Sequence, residues 1–292
     1  MEKPRALIIG ARGFLGAYLV EVAKAHFDVV RGQRFSTDSE SIAIDITDAH
    51  SVRRAFESVQ PDAVLLLAAM ADIDRCEAEP ARAFVVNVRG AEIVANECAR
   101  ANTRFLFTST AAVFDGSKHG YREEDSVCPL SVYGITKAQA ETSVRGLVPL
   151  ALIVRFSLVI GFAKDIGTNS ALDALTTKWK AKIPVLVPTF EFRNPIHAGL
   201  LSSIIVQLMT TSARGVFHVG ASDSMSRYDV GRRIAALAGF SEELVTPQDE
   251  PIPGRAPRGK DHFLLSDKVE KLCGIKIPGC EHQIARCFND FA

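Results

Sequence analysis

The chain has 292 residues, with 34 basic and 34 acidic side chains, no net charge, 47% hydrophobic residues and 23% charged. At about 150 residues per domain this length suits roughly two domains, and the apolar content is that of a globular chain rather than a disordered one. Zero net charge argues against nucleic acid as a main partner, because phosphate neutralisation needs a basic excess. The longest apolar stretch, Ala63 to Met70, falls far short of the ~18 residues that argue for a membrane span.

The N-terminal residues Met1-Glu2-Lys3-Pro4-Arg5 lead into Ala6 to Gly10, an apolar stretch too short for a secretion signal. Cys76, Cys98, Cys128, Cys273, Cys280 and Cys287 form no CxxC pair and no metal spacing. Both features point to reduced thiols in a cytoplasmic protein without a metal site.

Ala6 to Gly10 reads as a buried strand and Gly13 to His26 as the helix after it. Between them lies Gly10-Ala11-Arg12-Gly13-Phe14-Leu15-Gly16. Gly10 permits a tight turn, Gly13 lets backbone approach a pyrophosphate, and Gly16 allows the helix to pack closely on the strand. The start of the helix then offers unpaired N–H groups to the phosphates. A tight turn without a ligand uses glycine in the same way, so this motif is weak alone.

Asp28 to Val30 is a second strand and Ile42 to Asp45 a third, after which Asp48 caps a helix running through Val59. Ala63 to Leu67 is a fourth strand, Pro80 to Ala101 one long helix, and Arg104 to Ser109 a fifth strand. Hydroxyls cluster at the end of that strand, in Thr108-Ser109-Thr110, where open α/β sheets bind ligands. Ser131 to Gly146 is helical and Ala151 to Phe156 a sixth strand. Within that last helix, Tyr133 and Lys137 stand one turn apart on one face. An ammonium so placed stabilises a phenolate and lowers the tyrosine pKa, which suits proton transfer near neutrality. A surface helix with a solvated lysine carries the same pair.

Continuous apolar strands joined by helices imply a parallel sheet covered on both faces, hence a Rossmann-type doubly wound α/β fold. Past residue 160 the pattern turns irregular. Ile183-Pro184 and Val187-Pro188 break helices, Gly215 to Val219 reads as a strand, Ser226 with Asp229 opens a helix to Ala238, and 247–261 reads as a loop. The expected division is a dinucleotide-binding domain over 1–160 and a smaller, loop-rich substrate lobe over 161–292, with the chain crossing between them.

Taken together, Gly10/Gly13/Gly16, Asp45-Ile46, Leu67-Ala68-Ala69, Asn87, Thr108 to Val113 and Tyr133/Lys137 resemble the extended short-chain dehydrogenase/reductase family. Ser109-Thr110-Ala111-Ala112-Val113-Phe114-Asp115-Gly116 is most similar to the STDYVFDG pattern of the dTDP-4-dehydrorhamnose reductase branch. Pro129 to Gly134 and Ala256-Pro257-Arg258 fit that branch too. The resemblance implies a cytoplasmic NAD(P)H-dependent reductase of a 4-keto nucleotide sugar. Thr110, Tyr133 and Lys137 are its catalytic positions, and no nucleic acid or membrane partner is implied. It places Asp45 and Ile46 near the adenine and Lys137 also on the nicotinamide ribose. Leu67, Ala68, Ala69, Asn87 and Thr108 complete the cofactor set with Phe14 and Leu15 of the glycine turn. The pattern departs at Ala111-Ala112, which replace Asp-Tyr, and at Leu158, which replaces a tryptophan; in the family these positions line the sugar site.

Val30-Arg31-Gly32-Gln33-Arg34 has no acid where an NAD-preferring site places one; Gln33 takes that position, Arg34 follows, and Arg12 can reach the same ribose. Two guanidinium groups suit a 2′-phosphate, so the expectation is NADPH over NADH. Arg193, Asn194 and Arg258 are candidates for a substrate diphosphate, whereas His197 reads as a packing and capping residue. Members of the family often pair through helices, so a homodimer is allowed. Two alternatives stand beside the reductase: an epimerase of the same family, and a non-catalytic cofactor-binding subunit of a partner enzyme.

Overall fold

The computed structural model describes residues 2–35, 38–164 and 170–289. The chain begins β1 (Arg5–Ile9), α1 (Phe14–Ala23), β2 (Asp28–Gln33), β3 (Ser41–Ala43), α2 (Ala49–Val59) and β4 (Ala63–Leu66). Next come α3 (Ile73–Ala78), α4 (Pro80–Phe84), a π-helical turn (Val85–Arg89), α5 (Gly90–Arg100), β5 (Arg104–Thr110), α6 (Val132–Leu147) and β6 (Leu152–Phe156). Beyond residue 156 lie β7 (Val159–Ile160), α7 (Ala171–Lys180), β8 (Val185–Pro188), β9 (Phe192–Arg193), β10 (Ile196–His197), α8 (Ala198–Thr210) and β11 (Gly215–Val219). The chain ends β12 (Met225–Ser226), α9 (Arg227–Leu237), β13 (Val245–Gln248), β14 (Asp261–His262), α10 (Asp267–Cys273) and α11 (Cys280–Asn289).

Seven strands pair in the order β11-β6-β5-β4-β1-β2-β3, all parallel. Their side chains alternate between two apolar layers. Ala6, Ile8, Leu65 and Leu106 pack with Leu19 of α1 and Leu201, Ile204 and Ile205 of α8. Leu7, Ile9, Val64 and Phe107 pack with Val52 and Phe56 of α2, Val94 of α5 and Val144 of α6. This is the doubly wound fold that the strand-and-helix alternation implies, with strand order reversing between β1 and β4, where such sheets open a ligand crevice.

α8 and β11 return the chain to this sheet after residue 197. β11 pairs with β6 and α8 covers the sheet beside α1. The remaining C-terminal segments form short sheets, β12-β9-β14 and β13-β8, over a separate core built on Trp179, Val245, Ile234 and Ile284. Two expectations change. Residues 80–101 are two α-helices joined by the π-helical turn rather than one regular helix, and both ends of the 247–261 loop are anchored in strands, Gln248 in β13 and Asp261 in β14. Among the described residues no helix is long and apolar enough to cross a membrane.

Candidate active site

The glycine turn has the geometry its spacing implies. Gly10 sits at φ +93°, and a Cβ there would lie 2.7 Å from the backbone nitrogen of Ala68; one at Gly16 would lie 2.2 Å from the Gly10 carbonyl oxygen. Both glycines are therefore demanded by the fold itself. Gly13 differs: its φ is −70° and a Cβ would meet only the Gly10 oxygen, at 3.2 Å. Gly13 caps α1 without a side chain, so the first-turn N–H groups have no side-chain acceptor, and such a terminus attracts phosphate. Beside the turn, a cavity of about 360 Å³ is lined by Gly10, Gln33, Arg34, Asp45, Ala68 and Val86. A pre-formed cleft beside an open helix terminus fits a dinucleotide.

Ile46 and Ala69 line the same cavity. Arg34 contacts Asp45 at 3.5 Å, and Thr47 donates to Asp45 at 2.6 Å, holding that carboxyl below its usual pKa. Arg12 is exposed. Phe14 packs edge-on against Tyr18, and Leu15 and Leu67 pack against the sheet core. Thr108 donates to the Leu66 carbonyl at 3.0 Å, stapling β5 to β4. Asn87, buried on the π-helical turn, accepts from the Met70 N–H and donates to the Met70 carbonyl and to Thr136 Oγ1. It thereby ties the segment after β4 to α6.

Thr110 ends β5 and caps the short turn Ala111–Val113, accepting from the Ala112 N–H at 3.1 Å. Ser131 caps α6 in the same way, accepting from Gly134 N–H at 3.2 Å. α6 packs so closely on the turn that a Cβ at Gly134 would lie 2.1 Å from the Ala112 oxygen. This approach brings Tyr133 to Thr110, whose hydroxyl is near enough to favour its phenolate. One turn on, Lys137 is 2% exposed with its Nζ 3.9 Å from the centre of the Phe107 ring.

The electrostatics differ from the simple phenolate–ammonium expectation. Burial pushes Tyr133 up to about 12, with the Thr110 hydrogen bond pulling the other way. Burial pulls Lys137 down to about 7, opposed by the Glu141 carboxylate. Desolvation dominates both groups, because each loses more hydration than its neighbours replace. The result is a tyrosine that holds its proton at neutral pH beside a lysine that is only partly charged.

On the other side of Thr110, a small cavity of about 80 Å³ is lined by Thr110, Ala111, Ala112, Ser157, Arg193 and Arg258. Arg193 is buried against Glu191 at 3.1 Å, and burial pulls its pKa down to about 10. Arg258 grips Asp74 of α3 through two nitrogens, at 2.8 and 3.1 Å, and Asp74 also accepts from the Ala256 N–H. That clasp ties the 255–258 loop to α3, and Ile73, Pro257 and Arg258 all line the cavity. Asn194 is fully buried and bonds Ala221 and Leu264 backbone, a latch between the segments that follow β11 and β14. His197 caps α8 by accepting from Gly199 N–H, as its sequence context implies. Leu158 lines a separate apolar cavity of about 240 Å³ with Leu172, Val187 and Ile234.

Three features escape sequence reading. The Ser157 hydroxyl is buried beside Thr110 with no partner among the described residues. Asp74 has no motif around it. Glu141 and Arg155 form a buried ion pair at 2.6 Å; the repeat of the four-residue step from Tyr133 through Lys137 to Glu141, and a lone charge inside Leu-Ile-Val-Arg-Phe, were the signals available.

The family described as the RmlD substrate binding domain matches residues 4–292. A probable low-salt glycan biosynthesis reductase of Haloferax volcanii is 30% identical over 98% of this chain and 99% of its own length. A dTDP-4-dehydrorhamnose reductase of Aggregatibacter actinomycetemcomitans is 32% identical over 85% and 82%. Methionine adenosyltransferase 2 subunit beta of Xenopus tropicalis is 27% identical over 92% and 82%. Among solved structures, a dTDP-4-dehydrorhamnose reductase of Bacillus anthracis in complex with NADP superposes with a TM-score of 0.89 at 26% identity, covering 99% of both chains.

Proposed function

The chain belongs to the RmlD substrate binding domain family, and from that membership we propose that it is a nicotinamide-dependent reductase of a 4-keto nucleotide sugar. The observation that carries the reading is Thr110 in the wall of the cavity that Arg193 and Arg258 also line, with the Tyr133 hydroxyl acted on by Thr110 and Lys137 one helical turn beyond on α6. We read residues 1–160 as binding the cofactor, with α8 and β11 completing their sheet, and the remaining C-terminal segments as binding substrate.

Bound reduced nicotinamide supplies a hydride to the keto carbon. Tyr133 gives its proton to the carbonyl oxygen as charge develops there, and Thr110 donates a hydrogen bond to the same oxygen. A tyrosine held at about 12 stays protonated, which is the form a reduction consumes. Lys137, as ammonium, stabilises the phenolate left behind and holds the nicotinamide ribose. Ser157, whose buried hydroxyl has no partner among the described residues, and Arg193 and Arg258 supply polar contacts to the sugar and its diphosphate; Arg258 exchanges Asp74 for phosphate. Ala111-Ala112 leave the sugar wall apolar and small, so the reading commits to a 4-keto nucleotide sugar and extends to dTDP-4-dehydrorhamnose as the first compound to try. NADPH is the preferred cofactor, through Arg12 and Arg34 on the 2′-phosphate.

The test is NADPH oxidation followed over a panel of 4-keto nucleotide sugars, with Tyr133→Phe as control. That variant should bind NADPH normally and lose roughly 10²–10⁴-fold in kcat, the usual contribution of a positioned proton donor. Near-normal turnover would reject the mechanism. The likeness to an adenosyltransferase subunit supports a second reading, a cofactor-binding regulatory subunit. A stoichiometric partner enzyme recovered with the chain, with no cofactor oxidation on any sugar, favours that reading.

A further inference from the structure

Beneath Lys137 lies a cluster of charge that the proposed chemistry does not use. Glu141 and Arg155 are 4% and 3% exposed. Arg155 on β6 donates to Glu141 through Nε at 2.9 Å and Nη2 at 2.6 Å, and Ser109 on β5 donates to the same carboxylate at 2.5 Å. Arg155 also lies 3.3 Å from His218 Nε2 and stacks over Phe114. Tyr133, Lys137 and Glu141 follow at four-residue steps on one face of α6.

A buried ion pair is a poor source of stability, because an apolar pair of the same volume usually packs as well without the desolvation cost. Its placement one helical turn below Lys137 is informative for another reason. Lys137 makes no hydrogen bond to another described residue, and the negative charge acting on it is Glu141. The other titratable groups around this part of the site are Tyr133 on α6, Cys76 on α3, Arg155 on β6 and, beyond it, His218 on β11; Ser109 and Thr110 on β5 are neutral. Glu141 stands one turn along α6 from Lys137, and both side chains are buried, so its carboxylate acts on the ammonium without a screening layer of water. Without Glu141, desolvation would act on Lys137 unopposed and favour its neutral form.

We propose that Ser109, Glu141 and Arg155 form the positioning group of the site: Ser109 and Arg155 fix the Glu141 carboxylate one turn from Lys137, where it holds the lysine as an ammonium for Tyr133. This deepens the reductase reading and rests on Tyr133 and Lys137 being its reacting pair. Glu141 and Arg155 touch no substrate and act only through Lys137.

The test compares the full chain with Glu141→Gln/Arg155→Met, which removes both buried charges and leaves neither partner stranded. Lys137 is titrated by NMR of ¹³Cε-lysine-labelled protein, its resonance identified by its loss in Lys137→Arg. In the double variant the lysine should lose its proton about one pH unit lower, since an opposite charge at close range strongly favours the charged form. With NADPH and the 4-keto sugar, kcat should fall by about tenfold or more while both KM values stay within about twofold, the pattern of an interaction made in the transition state. A purely structural pair predicts the opposite: a well-packed double variant with full turnover. An unmoved Lys137 titration or full turnover overturns the proposal. Should the double variant not fold, Glu141→Asp decides, because it withdraws the carboxylate but keeps its charge; Lys137 should then titrate lower by a smaller step, and an unchanged titration overturns the proposal. Tyr133→Phe with normal turnover would defeat the catalytic reading instead, and the lysine titration, which needs no substrate, separates the two failures.

Discussion

A methyl group added at Gly13 and one added at Gly16 meet different surroundings. At Gly16 it lands 2.2 Å from the Gly10 oxygen, on backbone that cannot give way; at Gly13 it meets that oxygen at 3.2 Å. Gly16→Ala should therefore destabilise the fold by about 1–3 kcal/mol, as overpacking does. Gly13→Ala should keep Tm within a few degrees and instead weaken NADPH binding, by about tenfold or more if one pyrophosphate hydrogen bond is lost. Tm from calorimetry and Kd from fluorescence quenching distinguish them. Normal NADPH affinity in a folded Gly13→Ala protein would show that no phosphate comes close to this turn. The arginines are tested by cofactor choice. Arg34 now rests on Asp45 at 3.5 Å with most of its side chain in solvent, a contact of little energetic weight, so it is available to a 2′-phosphate. Arg34→Ala should lower kcat/KM for NADPH by about tenfold or more, the scale of one charged hydrogen bond, and leave NADH turnover nearly unchanged. Equal losses with both cofactors would sink the assignment.

At the scale of elements, the central strands were legible because each is buried on both faces and so reads as an unbroken apolar run. β4, Ala63–Leu66, stands out in this way; β11, Gly215–Val219, is readable as a strand although His218 interrupts its apolar run. The partner of β11 was not legible: pairing with β6 is a long-range choice made by α8 packing on the sheet, and no local pattern encodes it. Thr110, Tyr133 and the glycine turn could be singled out because the proposed chemistry demands particular residue types at particular spacings. Asp74 and Ser157 were not, because their roles come from segments far away in sequence. The π-helical turn at Val85–Arg89 was also hidden, since its apolar spacing differs little from that of an ordinary helix. It carries Asn87 inward to Met70 and to Thr136, which lies between Tyr133 and Lys137 on α6. Asn87→Ala leaves the Met70 N–H without a partner and the Met70 carbonyl with only the weak Cys76 S–H donor, and a buried unsatisfied group costs about 1–3 kcal/mol. The variant should melt several degrees lower and lose turnover through a displaced α6. Unchanged stability would mean that the segment after β4 is held by other contacts.

The molecule as a whole is joined by histidines that stay uncharged. His218 on β11 reaches the Tyr121 carbonyl and Arg155, and His262 on β14 reaches the Phe114 carbonyl. Each couples the sheet or its following loop to a C-terminal segment. Burial pulls both down to about 3, with Arg155 and Arg193 respectively adding to the effect. In the unfolded chain they regain an ordinary value near 6.5. Between those limits the unfolded state binds protons that the folded state refuses, so the histidines' contribution to stability is complete above about pH 7 and is lost as pH falls through 6.5 toward 3. Each histidine contributes a slope of about 1.4 kcal/mol per pH unit across that window. Glu123, whose pKa burial raises and which accepts from the His218 N–H, takes up its proton earlier in the folded state and opposes part of the trend. The carboxylates held low, Asp45, Asp74, Asp115 and Asp125, add their losses only below about pH 4, near their unfolded values. The interval from pH 5 to 6 therefore isolates the histidines. Urea unfolding there should show stability falling with pH by an uptake of between one and two protons, and His262→Gln should remove one of them. A slope that stays the same in that variant would mean that His262 is charged in the folded protein, and that the contact between β14 and the Phe114 carbonyl is an ion-assisted one.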